Sequence, residues 1–249
     1  MPPPDRITVA SFNTHWGHRP RTYEPYDVVE ACRRLDADVL ALQEVWRPDG
    51  EPSAAERAAD ALGYEIHQLW TSRAVVEPKH KAVGPPGAPV GTGDWGQALL
   101  TRVPRRPLTE HHLDGFLFDP ISRAVMTAPI ELAGGTLTVC ASHFPHLEHF
   151  SPLLRWRLRG VLPEPHEPAV LMGDLNMWRW VTRFVVPGWR DTARGPTWPS
   201  PRPVFQIDHI LVTSQVVATG AQVVEAGHSD HLPIRATVGI SRASTATAP

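Results

Sequence analysis

The stretch PAVLMGDLN, Pro168 to Asn176, decides how the rest of the chain is read. Ala169 to Met172 are all apolar, and after Gly173 the run stops at Asp174. A short run without alternation fits a strand buried on both faces, and such a strand is central to its sheet. Asp174 and Asn176 lie two apart, so on an extended segment the carboxylate and the amide point the same way. Three other apolar runs end alike: ITVASF at Asn13, VLALQ at Glu44 and LTVCAS at His143. If the four strands run alike, their polar ends gather on one rim, where α/β-type folds place ligands. Any one of these residues could be a strand cap or a turn former. Four together, of these types, point to a site.

Working outward, strand length and composition recur in ITVASFN, ADVLALQE, YEIHQL, GQALLTR, SRAVMTAPIEL, TLTVCASH, PAVLMGD, FQIDHILV and PIRATVGI. Gly134-Gly135 marks a hairpin. Helices fit YDVVEACRRL, with Val28, Val29, Cys32 and Leu35 on one stripe, and SAAERAADAL, where Ser53 and Glu56 form a capping box. A third helix fits SPLLRWRLRGVL, starting at Pro152. The Gly- and Pro-rich stretch Val76 to Gly96 reads as a long mobile loop with no regular element, and as a candidate for selecting substrate. Many strands with few helices predict two packed mixed sheets flanked by helices. No repeat and no boundary divides the chain, so one domain is expected over 5–240, with flexible tails at 1–4 and 241–249.

The chain has 249 residues, enough for a sizeable core, and a formal net charge of −2. That balance argues against a strongly basic coat for nucleic acid. Lys79 and Lys81 are the only lysines; the other cations are arginines, a bias read mainly as a mark of base composition. Cys32 and Cys140 sit in apolar patterns and are expected to be buried, reduced thiols. The N-terminus lacks the apolar run of a signal peptide, and no segment reaches membrane-spanning length, so a cytoplasmic monomer is expected.

The residue types suggest their chemistry. Glu44 is an oxygen ligand for a hard cation, and Asn13 can add an amide oxygen, as Mg²⁺ sites rich in water tend to have. In GDLN, Asp174 can accept a proton while Asn176 holds an oxygen. His143, if cationic, can offset charge on a transferring phosphoryl group.

In order along the chain stand SFN with Asn13, LQEV with Glu44, GQALLTR, SRAVM, SHF with His143, GDLN, TWPS, QIDHIL with Asp208, and SDHLPI with Asp230 and His231. This ordered set resembles the endonuclease/exonuclease/phosphatase superfamily of DNase I-like phosphoesterases. The resemblance implies an α+β fold, a four-layered α/β/β/α sandwich, and hydrolysis of a phosphoester by in-line attack of water with Mg²⁺, or Mn²⁺ in its place. It implies Glu44 as principal metal ligand, with Asn13 and Asp230 near the ion. His231 would be the general base or the phosphate-stabilising histidine, with Asp208 behind it. Asp174 would position or deprotonate water, or protonate the leaving group. Asn176 and His143 would hold the scissile phosphate, and Arg123 would face it.

A phosphodiester in nucleic acid or a nucleotide-like molecule is the first expected substrate. A phosphomonoester or phospholipid headgroup, including sphingomyelin-type lipids or a small phosphorylated metabolite, is the second; a binding module without catalysis is the third. The chain departs from the abasic endonucleases at His15, which stands where they carry an aspartate; an imidazole there alters the metal preference or the charge facing substrate. The short connection from Met177 to Phe205 argues against a duplex specialist. Trp178 and Trp180 read either as core packing under the loop or as a platform for a base or an apolar lipid portion. Arg155, Arg157 and Arg159 read as a solvated face, and His111-His112 as a solvated pair. His143, His146 and His149 invite a zinc reading, which Pro145 disfavours by breaking the helix that would align them. Trp198 is expected to pack near the site.

Overall fold

The apolar runs form the strands that their composition predicts. The computed structural model describes residues 2–76, 91–113, 121–146 and 152–241. In chain order the elements are β1 (Arg6–Asn13), α1 (Val28–Leu35), β2 (Val39–Pro48), α2 (Ala54–Leu62), β3 (Glu65–Val76), β4 (Gly91–Thr101), β5 (Thr109–His112) and β6 (Ala124–Leu132). There follow β7 (Gly135–His143), α3 (Pro152–Leu158), β8 (Ala169–Asp174), α4 (Arg179–Val185), β9 (Arg190–Asp191), β10 (Asp208–Val212), β11 (Val216–Val223) and β12 (Ile234–Ile240). They build two six-stranded mixed sheets, ordered β11-β12-β1-β2-β4-β3 and β5-β6-β7-β8-β10-β9.

Three apolar clusters make the layers. One lies between the sheets and joins Val9, Val39 and Leu99 of the first to Met126, Val139 and Met172 of the second. Another packs α1 and α2 on the first sheet through Cys32, Leu35, Ala55 and Ala58. The third packs α3 and α4 on the second sheet through Leu154, Leu158, Val181 and Val185. This is the expected four-layered α/β/β/α sandwich. Ser53 caps α2 in the capping box that its sequence predicts, and Cys32 and Cys140 are buried free thiols. No helix among the described residues is long and apolar enough to cross a membrane.

The expectation for Val76 to Gly96 is corrected at both ends. Residues 77–90 lie outside the described residues, but Val76 closes β3 and Gly91 to Gly96 open β4. These glycines do not break the strand; β4 is sandwiched between β2 and β3, with register shifts against both. A Cβ on Gly96 would meet the Leu69 carbonyl oxygen at 2.0 Å, so glycine here permits a close backbone approach at a bulge. The tail beyond Ser241 and His149 of the zinc reading also lie outside the described residues.

Candidate active site

Strand direction places the polar ends together. β1 and β2 are parallel with Asn13 opposite Gln43, and β7 and β8 are parallel with His143 opposite Asp174. β10 runs antiparallel to β8 and begins at Asp208, directly opposite Asp174. The sheets meet at this rim: Asn13 Nδ2 donates to Asp174 Oδ2 at 3.0 Å and to Glu44 Oε1 at 3.3 Å. The Asn13 amide oxygen accepts from the His15 backbone N–H, so in this geometry its nitrogen, not its oxygen, faces the carboxylates.

Asp174, His231 and Asp208 form a buried chain. His231 Nδ1 donates to Asp208 Oδ2 at 2.9 Å, and its Nε2 lies 3.6 Å from Asp174 Oδ2. Asp174 Oδ1 accepts from the Asn176 N–H at 3.0 Å. Burial raises the Asp174 carboxyl above the usual carboxylate range, against the pull of His231. Burial opposes charge on His231, but Asp208 and Asp174 outweigh it and hold this imidazole basic. The ligand atoms of the three lie within 4.8 Å of one another, which by spacing alone could hold a cation. One hydrogen bond to Asp208 and one ion-pair contact to Asp174 already set two carboxylates about one imidazole, an arrangement suited to moving and holding protons.

Glu44 and Asp230 differ from that chain. Both are half-buried, and neither forms an ion pair with a cationic side chain among the described residues. Both act on the buried Tyr26 hydroxyl, which burial pushes well above its usual range, with Cys32, Asp230 and Glu44 adding to the rise. Two half-buried carboxylates, without an ion pair among the described residues, fit a hard divalent ion that takes oxygen ligands. Glu44 reaches this position because β2 shifts register between Leu42 and Val45, and its own φ is 52°. A bulge re-aims the side chain out of the pleat at some cost in backbone strain. Asn176 is likewise left-handed at φ 50°, and its Nδ2 donates to the Phe144 carbonyl.

His143 is buried beside this chain, its Nε2 3.6 Å from Asp174 Oδ2 and without a hydrogen-bond partner among the described residues. Burial and then the Arg123 guanidinium push its pKa well below the usual histidine range. Both act against the cationic form on which the expectation for His143 was conditional, and the Arg123 guanidinium stands beside it as a positive charge. The Arg123 guanidinium is buried against the Trp95 ring, 5.6 Å from its centroid, and Trp95 in turn contacts His143.

Ser229, which the sequence reading passed over, and Thr197 of the TWPS motif support the site. Ser229 Oγ donates to the Asn13 carbonyl at 2.7 Å and accepts from the His231 N–H at 3.2 Å, tying β1 to the SDH turn. Thr197 Oγ1 accepts from the N–H groups of Ile207 and Asp208 and so fixes the start of β10. Their positions beside Asp230 and Trp198 were the available signal. Tyr26, far from any motif, gave none.

The remaining candidates fall as follows. His15 lies in a one-turn 3-10 segment; its Nδ1 donates to the His18 carbonyl and its ring stacks on Trp16. Trp198 Nε1 donates to Asp230 Oδ2 at 3.3 Å. Trp178 is not packed in the core; it is 43% exposed and caps α4, a helix that the sequence did not suggest. His146 is exposed with its ring edge against His143. The His111-His112 pair lies in β5, with His111 bonded to Thr127 and His112 beside Glu110. Arg155 and Arg157 are half-buried, while Arg159 is exposed.

Comparison with known proteins agrees with this fold. Among solved structures, an endonuclease/exonuclease/phosphatase from Beutenbergia cavernae matches with a TM-score of 0.74 at 22% identity, over 95% of this chain and 72% of that one. D. rerio TDP2, complexed with single strand DNA product, matches with a TM-score of 0.62 at 17% identity, over 94% of this chain and 99% of that one. The Bacteroides thetaiotaomicron mannosyl-6-phosphatase matches with a TM-score of 0.62 at 17% identity, covering 93% and 99%. No curated protein matches significantly. At these identities the likeness establishes the fold, a sandwich of two mixed sheets. A family model described as Endonuclease/Exonuclease/phosphatase family matches residues 10–231, nearly the whole chain. The chain belongs to the endonuclease/exonuclease/phosphatase family.

Proposed function

We propose that this chain is a divalent-metal-dependent phosphodiesterase that hydrolyses its substrate by in-line attack of water. The observation that carries the reading is the side-by-side placement of two unlike carboxylate groups. Asp174 and Asp208 bracket His231, the second by a hydrogen bond and the first as an ion pair at 3.6 Å, while Glu44 and Asp230 stand half-exposed and form no ion pair among the described residues. Glu44 and Asp230 would hold Mg²⁺ or Mn²⁺, which supplies Lewis-acid neutralisation of the phosphoryl oxygens.

The chain's own residues then have distinct tasks. Asp208 fixes the His231 ring through Nδ1, leaving Nε2 to donate to a phosphate oxygen. Asp174, held by Asn13 and the Asn176 N–H, would take the proton of the attacking water. His143 offers its unsatisfied Nε2, and Arg123 adds positive charge behind it. In a site drier than water, fixed donors and charges of this kind act strongly on the transition state.

A diester is preferred because the aromatic surface beside the rim gives a second substituent on phosphorus something to rest on. The test is hydrolysis of bis(p-nitrophenyl) phosphate and of p-nitrophenyl phosphate by protein stripped with EDTA and reloaded. Diester turnover restored by Mg²⁺ or Mn²⁺, and faster than monoester turnover, is expected. Faster monoester turnover would reverse the preference, and turnover indifferent to EDTA would remove the metal.

A further inference from the structure

We infer that a strip of aromatic rings, beginning at Asp230 and running along residues 178–205, binds single-stranded nucleic acid over several nucleotides. This rests on the phosphodiesterase reading and names its substrate class. The strip starts where Trp198 donates to Asp230. Trp198 stacks on Phe205 with centroids 6.3 Å apart and planes at 27°, and Phe205 on Trp178 at 6.1 Å and 24°. Trp178 meets Trp180 at 6.0 Å, and Trp180 meets Phe184 edge-on at 6.2 Å.

Core packing does not account for these rings. Phe205 is 41% exposed, Trp180 53% and Phe184 62%, and neighbouring Val204 is exposed as well. A contiguous exposed apolar patch of this kind marks a binding surface. The segment below it is anchored: the buried His209 donates to Asp191 Oδ2 and to the Met177 carbonyl, each at 2.8 Å, and Gln206 Nε2 donates to the same Asp191 oxygen.

Charge selects the occupant. Between Asn176 and Ile207 stand Arg179, Arg183, Arg190, Arg194 and Arg202 against one acid, Asp191, in a chain whose net charge is −2. Asp191 is already engaged by His209 and Gln206, and all of these arginines but Arg179 are exposed. Rings interleaved with guanidinium groups suit bases joined by phosphates, since every base offers a face to stack and every linkage a charge. A lipid surface would also attract arginines and tryptophans. It would be met by side chains projecting singly, however, whereas the two contacts nearest Asp230 are near-parallel, which gives planar groups a floor. Five linked rings are too many for one nucleotide, so the ligand is a strand.

The test uses the full chain without added metal, so that the strand is not cut. Fluorescence anisotropy would measure binding of labelled single-stranded oligonucleotides of about 4, 8 and 16 nucleotides, the span of common single-strand sites. Affinity should rise with length. The rise should fall by about tenfold in Phe205→Ala and by more in the double variant Trp180→Ala, Phe184→Ala. Arg183→Glu with Arg202→Glu should lower affinity and flatten its salt dependence, and thermal melts would verify that each variant is folded. Equal affinity at all lengths, or a length dependence untouched in the variants, would overturn the inference. So would variant-sensitive co-sedimentation with phosphatidylglycerol vesicles in the absence of strand binding. Metal-restored hydrolysis of bis(p-nitrophenyl) phosphate is read separately. Its absence alongside length-dependent binding would sink the phosphodiesterase reading and leave the strip as a nucleic-acid surface.

Discussion

Asp174 and Asp208 on one side, Glu44 and Asp230 on the other, are four carboxylates a few side chains apart with opposite surroundings. The first pair is buried at the start and end of paired strands and shares one imidazole. The second pair is half-exposed on a bulge and a turn, and neither member forms an ion pair with a cationic side chain among the described residues. Buried charges persist when they are hydrogen-bonded and paired, and the first pair has its counter-charge in His231, although Asp208 Oδ1 lacks a hydrogen-bond partner among the described residues. Among the described residues the second pair accepts only from neutral donors, Asn13 Nδ2 and Trp198 Nε1 among them, so on the proposed reading an external cation would relieve its charge. On the proposed reading, the contrast teaches that proton chemistry and metal chemistry would be separated by backbone geometry, without different residue types.

The largest expected effect comes from breaking the second pair. Glu44→Ala should abolish turnover supported by Mg²⁺ or Mn²⁺ and remove any metal-induced rise in melting temperature. Retention of either would move the ion away from Glu44. Next is the buried chain: His231→Ala and Asp208→Asn should each lower kcat by about 10²- to 10⁴-fold, with circular dichroism unchanged. Wild-type rates would take the chain out of the mechanism.

Ser229→Ala tests the link between the two regions, since its hydroxyl joins the Asn13 carbonyl to the His231 N–H. Two buried backbone groups would lose their partner, at a cost of about 1–3 kcal/mol in stability. Chemical denaturation reads this directly, and no change would show that the tie is idle. The smallest effect is a control. Burial pushes the Cys32 thiol up to about 12 and Cys140 higher still, so neither forms thiolate at neutral pH. Iodoacetamide at pH 8 should label them only after unfolding, and labelling of folded protein would contradict the packing of α1 and β7.

What could be read in the sequence follows the same divide between buried and exposed. Strands apolar on both faces end where polarity begins, so Asn13, His143 and Asp174 could be placed on one rim from pattern alone. The capping box of α2 was equally plain, because Ser53 and Glu56 act locally. β5, with sequence TEHH, and β11, interrupted by an irregularity between Thr219 and Gln222, lie at sheet edges and lack that contrast. α4 was hidden by its own exposed Trp180 and Phe184, which spoil the expected apolar stripe. The glycines of β4 looked like loop residues because their reason, a neighbouring carbonyl, is written elsewhere in the chain. The aim of Glu44 depends on a bulge, and the lowered basicity of His143 on burial and then on Arg123; neither is a property of a motif.

The pairing of Asp208 with Asp174 across β10 and β8 has a consequence for how activity is lost. Side chains alternate along a strand, so a slip by one residue would turn Asp208 to the opposite face and bring Ile207 or His209 in its place. There is no half-aligned state between those registers. Heat or denaturant should therefore extinguish catalysis in step with melting of the second sheet, which makes turnover a gauge of that sheet's integrity.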